Sequence, residues 1–243
     1  MEPVRPDLAP DAAGSRDEMR ELQTEVARVA TFDDDGLDGA AVDELLVAGV
    51  DQAFIDDRAV SAVVVQRAGE PVERVYAVEP LTEPYVPGYL SFREGGPILA
   101  ALAELSVTPD VLLFDGSGRI HYRQAGLATH LGVVLDVPTV GVAKGLLCGR
   151  PRESLDDLPE GSTVAIEADG SVDAPDGTVI GYAVQTRQFD GPGRYVNPVY
   201  VSAGHRTSAE TAARLALGLT ASYKLPEPVR QADAYADEVK RSR

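Results

Sequence analysis

The sequence predicts an α/β fold: a single domain on one mixed sheet that starts with three antiparallel strands and is flanked by helices. Three observations predict it. Val-rich runs at Leu45–Phe54, Ala59–Gln66 and Val72–Glu79 follow one another across turns too short for crossovers, which makes an antiparallel meander. Beyond them, short wholly apolar runs alternate with helical patterns, as strands covered on both faces do. The 243 residues, 44 % of them hydrophobic, suffice for one real core, and no apolar stretch is long enough to span a bilayer.

Residues 1–14 are rich in Pro, Ala and Asp and read as a flexible N-terminal segment. From Ser15 to Phe32, Met19, Leu22, Val26 and Val29 recur at helical steps, and Ser15 with Glu18 offers a capping box. Thr31–Asp43 is an acidic loop containing Asp33, Asp34 and Asp35, and the meander follows it. Pro80–Arg93 reads as a Pro-punctuated loop, and Pro97–Leu105 as a helix. Val111–Phe114 and Thr139–Ala143 are buried strands on either side of a helix at Ala125–Leu135. Arg152–Gly177 is acidic and turn-rich, a surface excursion with a hairpin. Val179–Gln185 and Pro198–Ser202 are further strands, and the alternation favours parallel additions to the same sheet. Thr207–Tyr223 is a helix with a second capping box, Thr207 and Glu210. The domain so drawn spans 15–236, with a charged tail at 237–243. This order is the layout of a ribonuclease H-like domain, and several other mixed sheets fit it equally well.

Composition narrows the class. The N-terminus lacks the basic-then-apolar layout of a signal peptide, and Cys148 is the only cysteine, which leaves no intrachain disulfide or Cys-based zinc site. A soluble, cytoplasmic monomer is the expectation. The net charge of −17 argues against nucleic acid as a partner if taken at face value. Only Lys144, Lys224 and Lys240 are lysines, however, and an acid-rich, Lys-poor chain suits concentrated salt, where the Debye length falls to about 3 Å at 1 M. A salt-loving source follows, and the local site must then decide the partner.

The strongest chemical signals are acids placed where apolar strands end. Asp51 follows Leu45–Val50, and Asp115 follows Val111–Phe114 and precedes Gly116-Ser117-Gly118. Buried carboxylates are costly unless something pairs with them, and two on adjacent strands could share Mg²⁺, a hard cation that prefers oxygen. Each alone is more readily read as a strand-end residue capping a turn. Glu94, before Gly95-Gly96, is as readily a helix N-terminal acid. His205 gains interest only beside metal carboxylates. Tyr85, stiffened between Pro84 and Pro87, is suited to wedge between bases, or to pack on the surface. Lys144, ending a strand, could contact a phosphate.

Taken in order, these segments resemble the endonuclease V (deoxyinosine 3′-endonuclease) family from about Leu45 to Asp233. The resemblance is carried by Gly49-Val50-Asp51, by Pro84-Tyr85-Val86-Pro87-Gly88 running on to Phe92-Arg93-Glu94, and by Phe114–Gly118 with His121. It continues through Pro138–Lys144, Gly204-His205-Arg206 and Lys224–Pro228. It implies a ribonuclease H-like fold and hydrolysis of the second phosphodiester bond 3′ to deoxyinosine, with Mg²⁺, or Mn²⁺ in its place, as cofactor. By position, Asp51, Asp115 and Glu94 would hold the metal and His205 would be the fourth catalytic residue. Tyr85 would be the wedge, and Leu90, Gly116, Gly118, His121 and Gly126 would line the pocket for the flipped base. Lys144 would steady the backbone at the cut. The chain departs from the pattern at Ser117 and at Tyr122. Its partner would be DNA containing deoxyinosine. Cleavage of inosine-containing RNA, and a reader that binds deaminated DNA without cutting, are the alternatives. Arg93, Arg119, Arg123 and Arg206 are expected around the cleft.

Overall fold

The computed structural model describes residues 1–10, 13–37, 39–81, 84, 86–189 and 195–243. One nine-stranded sheet organises it, in the spatial order β3-β2-β1-β4-β5-β9-β8-β7-β6. The meander is present as β1 (Val47–Ile55), β2 (Arg58–Arg67) and β3 (Glu70–Pro80). β2 pairs antiparallel with both of its neighbours. β4 (Val111–Asp115) joins β1 in parallel, and β5 (Thr139–Ala143) joins β4 in parallel. The other half departs from the expected parallel additions. β9 (Val199–Ala203) runs antiparallel to β5, and β8 (Val179–Val184), β7 (Thr163–Glu167) and the short β6 (Arg150–Pro151) continue the sheet antiparallel. No helix separates β7 from β8, so the chain returns by short turns that reverse its direction.

Helices cover both faces. On one lie α2 (Leu90–Ala103) and α3 (Leu127–Leu135), where Ile98, Leu102 and Leu131 pack on Ala48, Val50, Leu112 and Phe114. α1 (Arg16–Val29) lies outside α3, and its Ser15–Glu18 capping box forms as predicted. The opposite face is covered by α4 (Ala209–Gly218) and α5 (Glu227–Arg241), which bury Leu215 and Val229 against Val47, Val111 and Val140. α4 is shorter than its pattern suggested and is capped by the Ser208 side chain, which accepts from the Thr211 N–H. α2 starts seven residues before Pro97, so the proline, which donates no backbone hydrogen bond, lies inside the helix and not at its start.

Two terminal regions differ from the sequence reading. The N–H groups of Val4 and Arg5 donate to the Val134 carbonyl, and Leu8 is buried. The Leu8 carbonyl meets His130 Nε2 at 2.9 Å, so this segment packs rather than frays. At the other end, α5 was not anticipated as a helix. It runs through the tail boundary to Arg241, with Val229, Ala232, Ala236 and Val239 buried at helical spacing. Gly49 lets it in: a Cβ there would strike the backbone of Pro228 and Val229.

Candidate active site

Asp51 and Asp115 stand side by side. Val50 is paired with Phe114 in parallel register, so the next residue on each strand sits at the same height, about 5 Å from its neighbour. Their side chains follow the alternation of Val47, Val111 and Leu113 toward the face covered by α5. Asp51 is buried. Its Oδ1 accepts from the Gln52 N–H at 2.7 Å, while its Oδ2 is buried with no hydrogen-bond partner. Burial foremost, then the charge of Asp115, pushes the Asp51 carboxyl up to about 8, against the pull of the Gln52 N–H and of Lys144; Asp233 adds to the rise.

Glu94 arrives from the other face, in the first turns of α2, and Gln52 Nε2 ties its carbonyl to β1. Burial pushes Glu94 up to about 7; Arg93 opposes this and Asp115 reinforces it. Lys144, just beyond β5, reaches back to Asp115 Oδ2 at 2.6 Å. Burial works to lower the Lys144 ammonium, but Asp115, with Asp51 and Asp233 behind it, holds it above its ordinary value. Among the described residues no three acids are already closed up at ligand spacing. Lys144 takes one oxygen of Asp115.

This donor set suits a hard divalent cation. All its atoms are carboxylate oxygens, one is buried and unpartnered, and two of the acids are driven toward neutrality, chiefly by burial. Asp51, Asp115 and Glu94 would hold the ion.

His205 does not join them. Because β9 runs antiparallel to β5, its C-terminal end lies beside the start of β5: Ala203 is opposite Val140, whereas Asp115 is opposite Val142 at the far end. There His205 Nδ1 accepts from the Thr31 N–H at 3.1 Å, and Nε2 lies 3.3 Å from Asp136 Oδ1. The acid that does face the cluster is Asp233 of α5, which acts electrostatically on both Asp51 and Lys144. A sequence signal for it existed. The period of Val229, Ala232, Ala236 and Val239 makes a helix, and Gly49 marks where that helix crosses β1.

Beside the acids, on the α2–α3 face, opens a cavity of about 340 Å³. Leu90, Gly116, Ser117, His121, Gly126 and Leu146 are among its walls. Gly118 is not in this lining; it backs onto Ala203 and Gly204, where a Cβ would collide. The loop after β4 folds flat across Gly141, whose missing side chain makes room for Gly116–Gly118. His121 is buried and pushed down to about 4, chiefly by burial. It is therefore neutral near pH 7. Its Nδ1 accepts from the Arg123 N–H, which leaves the Nε2 proton for the Gly88 carbonyl at 3.1 Å. This bond pins the Pro-bracketed loop to the cavity wall. Tyr85 lies outside the described residues.

The excursion at 152–177 has a place here. The Asp173 N–H donates to the Tyr122 carbonyl at 2.8 Å, Gln124 Nε2 donates to the Asp173 carbonyl at 2.6 Å, and Val172 shares a core with Ile120. It braces the cavity loop from behind. The expected arginines divide. Arg93 lies by Glu94, and Arg123 stacks on Tyr89 together with Arg16. Arg119 instead covers Phe32, and Arg206 pairs with Asp35 and Asp136 near His205.

The chain matches the family model for endonuclease V over residues 29–234. It is similar to endonuclease V of the halophilic archaeon Haloarcula marismortui, at 56 % identity over 99 % of this chain and 98 % of the relative. Among solved structures it is similar to endonuclease V of Streptomyces avermitilis, with a TM-score of 0.81 at 34 % identity, covering 98 % of this chain and 96 % of the other. It is also similar to endonuclease V of Ciona intestinalis, solved in complex with a 24mer DNA containing an inosine followed by a ribo-adenosine. There the TM-score is 0.74 at 28 % identity, covering 93 % and 98 % of the two chains. No helix among the described residues is long and apolar enough to cross a membrane.

Proposed function

We propose a function from the premise that the chain belongs to the endonuclease V family: it nicks DNA at the second phosphodiester bond 3′ to deoxyinosine, with a divalent cation held by Asp51, Asp115 and Glu94. One observation carries the reading. The buried, unpartnered Oδ2 of Asp51 stands beside Asp115, next to a cavity with room for an extruded base.

A bound Mg²⁺, or Mn²⁺ in its place, supplies charge neutralisation at the phosphate and an activated water. The protein's own groups do the rest. Asp51 and Glu94 give up the protons that burial makes them hold, and so present full carboxylates. Lys144 moves from Asp115 Oδ2 toward the phosphate, a short path for an ammonium half exposed at the rim. His121, held neutral in one tautomer, keeps the Gly88 loop against the cavity, so that the base meets a preformed wall. Ser117 and the main chain around Gly116 line the space where hypoxanthine's carbonyl and ring N–H would be read, and adenine, with donors and acceptors reversed on that edge, would leave those groups unpaired.

The test is a nicking assay on duplex DNA with one deoxyinosine, in molar KCl with Mg²⁺ or Mn²⁺. A cut one nucleotide beyond the lesion is expected from the wild type, and none from Asp115→Ala. Binding without a cut in either ion would overturn the reading. The ribo-adenosine in the Ciona intestinalis complex makes an inosine-containing RNA strand the natural parallel substrate.

A further inference from the structure

A second cavity, also of about 340 Å³, opens on the α5 side of the acidic cluster. Its walls include Phe189, Tyr223, Lys224, Leu225, Arg230 and Asp233. Asp233 thus lines this cavity and lies close enough to the acidic cluster for its charge to act on Asp51 and Lys144. Lys224 lines the same cavity: burial lowers its ammonium pKa, Lys144 adds to that, and Asp115 opposes it. Its Nζ donates to Asn197 Oδ1 at 2.9 Å, and its carbonyl accepts from Thr186, which fixes the segment ahead of α5.

The aromatic groups here are open to solvent. Tyr223 is 56 % exposed and Phe189 43 %. Arg230 stands over the Tyr223 ring at 5.0 Å and is itself held by Glu227 at 2.7 Å, so one ring face is backed by a fixed cation while much of the ring stays free. Flat aromatic surface, two cations and a position beside the acidic cluster match one kind of occupant, an unstacked nucleobase on a charged backbone.

We propose that this cavity is a subsite for the nucleobase immediately 3′ of the cut, stacked on Tyr223 with Phe189 at its edge and its phosphate toward Lys224. The inference rests on the proposed cleavage. The inosine cavity lies on the α2–α3 face and this one on the α5 face, with Asp51 and Asp115 at the strand ends between them. A strand with its inosine in the first and its scissile phosphate at the acids therefore leaves along α5. It also follows that the strand is unpaired at this nucleotide, so a single-stranded or frayed substrate fits better than a continuous duplex.

The experiment uses full-length protein carrying Asp51→Asn, which binds without cutting, and single-stranded DNA with one deoxyinosine and 2-aminopurine at the second nucleotide 3′ to it. Mg²⁺ is present, and fluorescence and affinity are read together. Stacking predicts quenching on binding. Adding Tyr223→Ala should abolish the quench and weaken binding roughly ten-fold, and Tyr223→Phe should preserve both. Moving 2-aminopurine to the 5′ side of the inosine should remove the dependence on Tyr223. Inosine-dependent binding with no response to Tyr223→Ala would overturn the subsite alone. Equal binding of inosine and adenine strands would overturn the function beneath it.

Discussion

Asp51→Asn should make the protein more stable while abolishing its nuclease activity. Burial is the first penalty on a charged Asp51, and repulsion from Asp115 adds about 3 kcal/mol if the two charges lie at the ~5 Å strand spacing in an effective dielectric of about 20. Wild type avoids part of this by keeping Asp51 protonated, at the cost of binding a proton from solution. The folded-state value of about 8 lies above the model value of 3.8, so the folded chain binds a proton that the unfolded chain has released. Stability is therefore fully present below pH 4 and is lost as pH rises toward 8. Asparagine does not titrate, so the gap between variant and wild type opens over that window. With Lys144 offsetting some repulsion, a gain of about 2 kcal/mol at pH 8 is reasonable, which for a chain of this size is a rise of about 4–8 °C in Tm.

The assay is thermal unfolding in EDTA at pH 5 and at pH 8. Glu94, also raised, lowers the stability of both proteins in the same direction, and the difference between them isolates Asp51. Adding Mg²⁺ should reverse the ranking. Wild type gains about 2.7 kcal/mol at a hundred times its Kd, and the variant, with one ligand weakened, gains less at the same concentration. A variant no more stable than wild type at pH 8 would refute the electrostatic argument. So would an equal gain at pH 5, because the effect would then be one of amide packing rather than charge.

Three other outcomes follow from the geometry. Gly49→Ala places a Cβ against the backbone of Pro228 and Val229, and lifting α5 should cost about 1–3 kcal/mol in denaturant unfolding and depress cleavage by displacing Asp233. His205→Ala should leave the cleavage rate within a few-fold of wild type and lower Tm instead, since His205 accepts from the Thr31 N–H at the far end of the sheet; a collapse of kcat with unchanged stability would restore it to the active site. Gln124→Ala removes one tie between the cavity loop and the excursion, so it should raise KM for the inosine strand and reduce discrimination against adenine while sparing kcat, measured as paired kinetics on the two strands.

The parts of this molecule that were legible in the sequence are those where local pattern and tertiary role coincide. β1, β2 and β3 could be read because each is a Val-rich run ending in a tight turn, and β4 and β5 because both faces of a parallel strand are covered. Asp51 and Asp115 stood out for the same reason, as charges ending runs that had no other polar residue. Direction of travel along the sheet was not legible. Val199–Ala203 has the same apolar composition whichever way it runs, and nothing local says that it pairs antiparallel with β8 and β5. His205 was misplaced by that gap alone. With β9 parallel to β5, a residue just past its end would sit beside Asp115; antiparallel, the same residue lies at the opposite end of the sheet, and another element must close the cluster. α5 does so because Gly49 has no side chain. The sequence holds both halves of that contact, Gly49 in one strand and Pro228-Val229 almost 180 residues later, but only the fold brings them together. The acid that α5 brings near Asp51 and Lys144 is therefore placed by a long-range steric allowance rather than by any motif around Asp233.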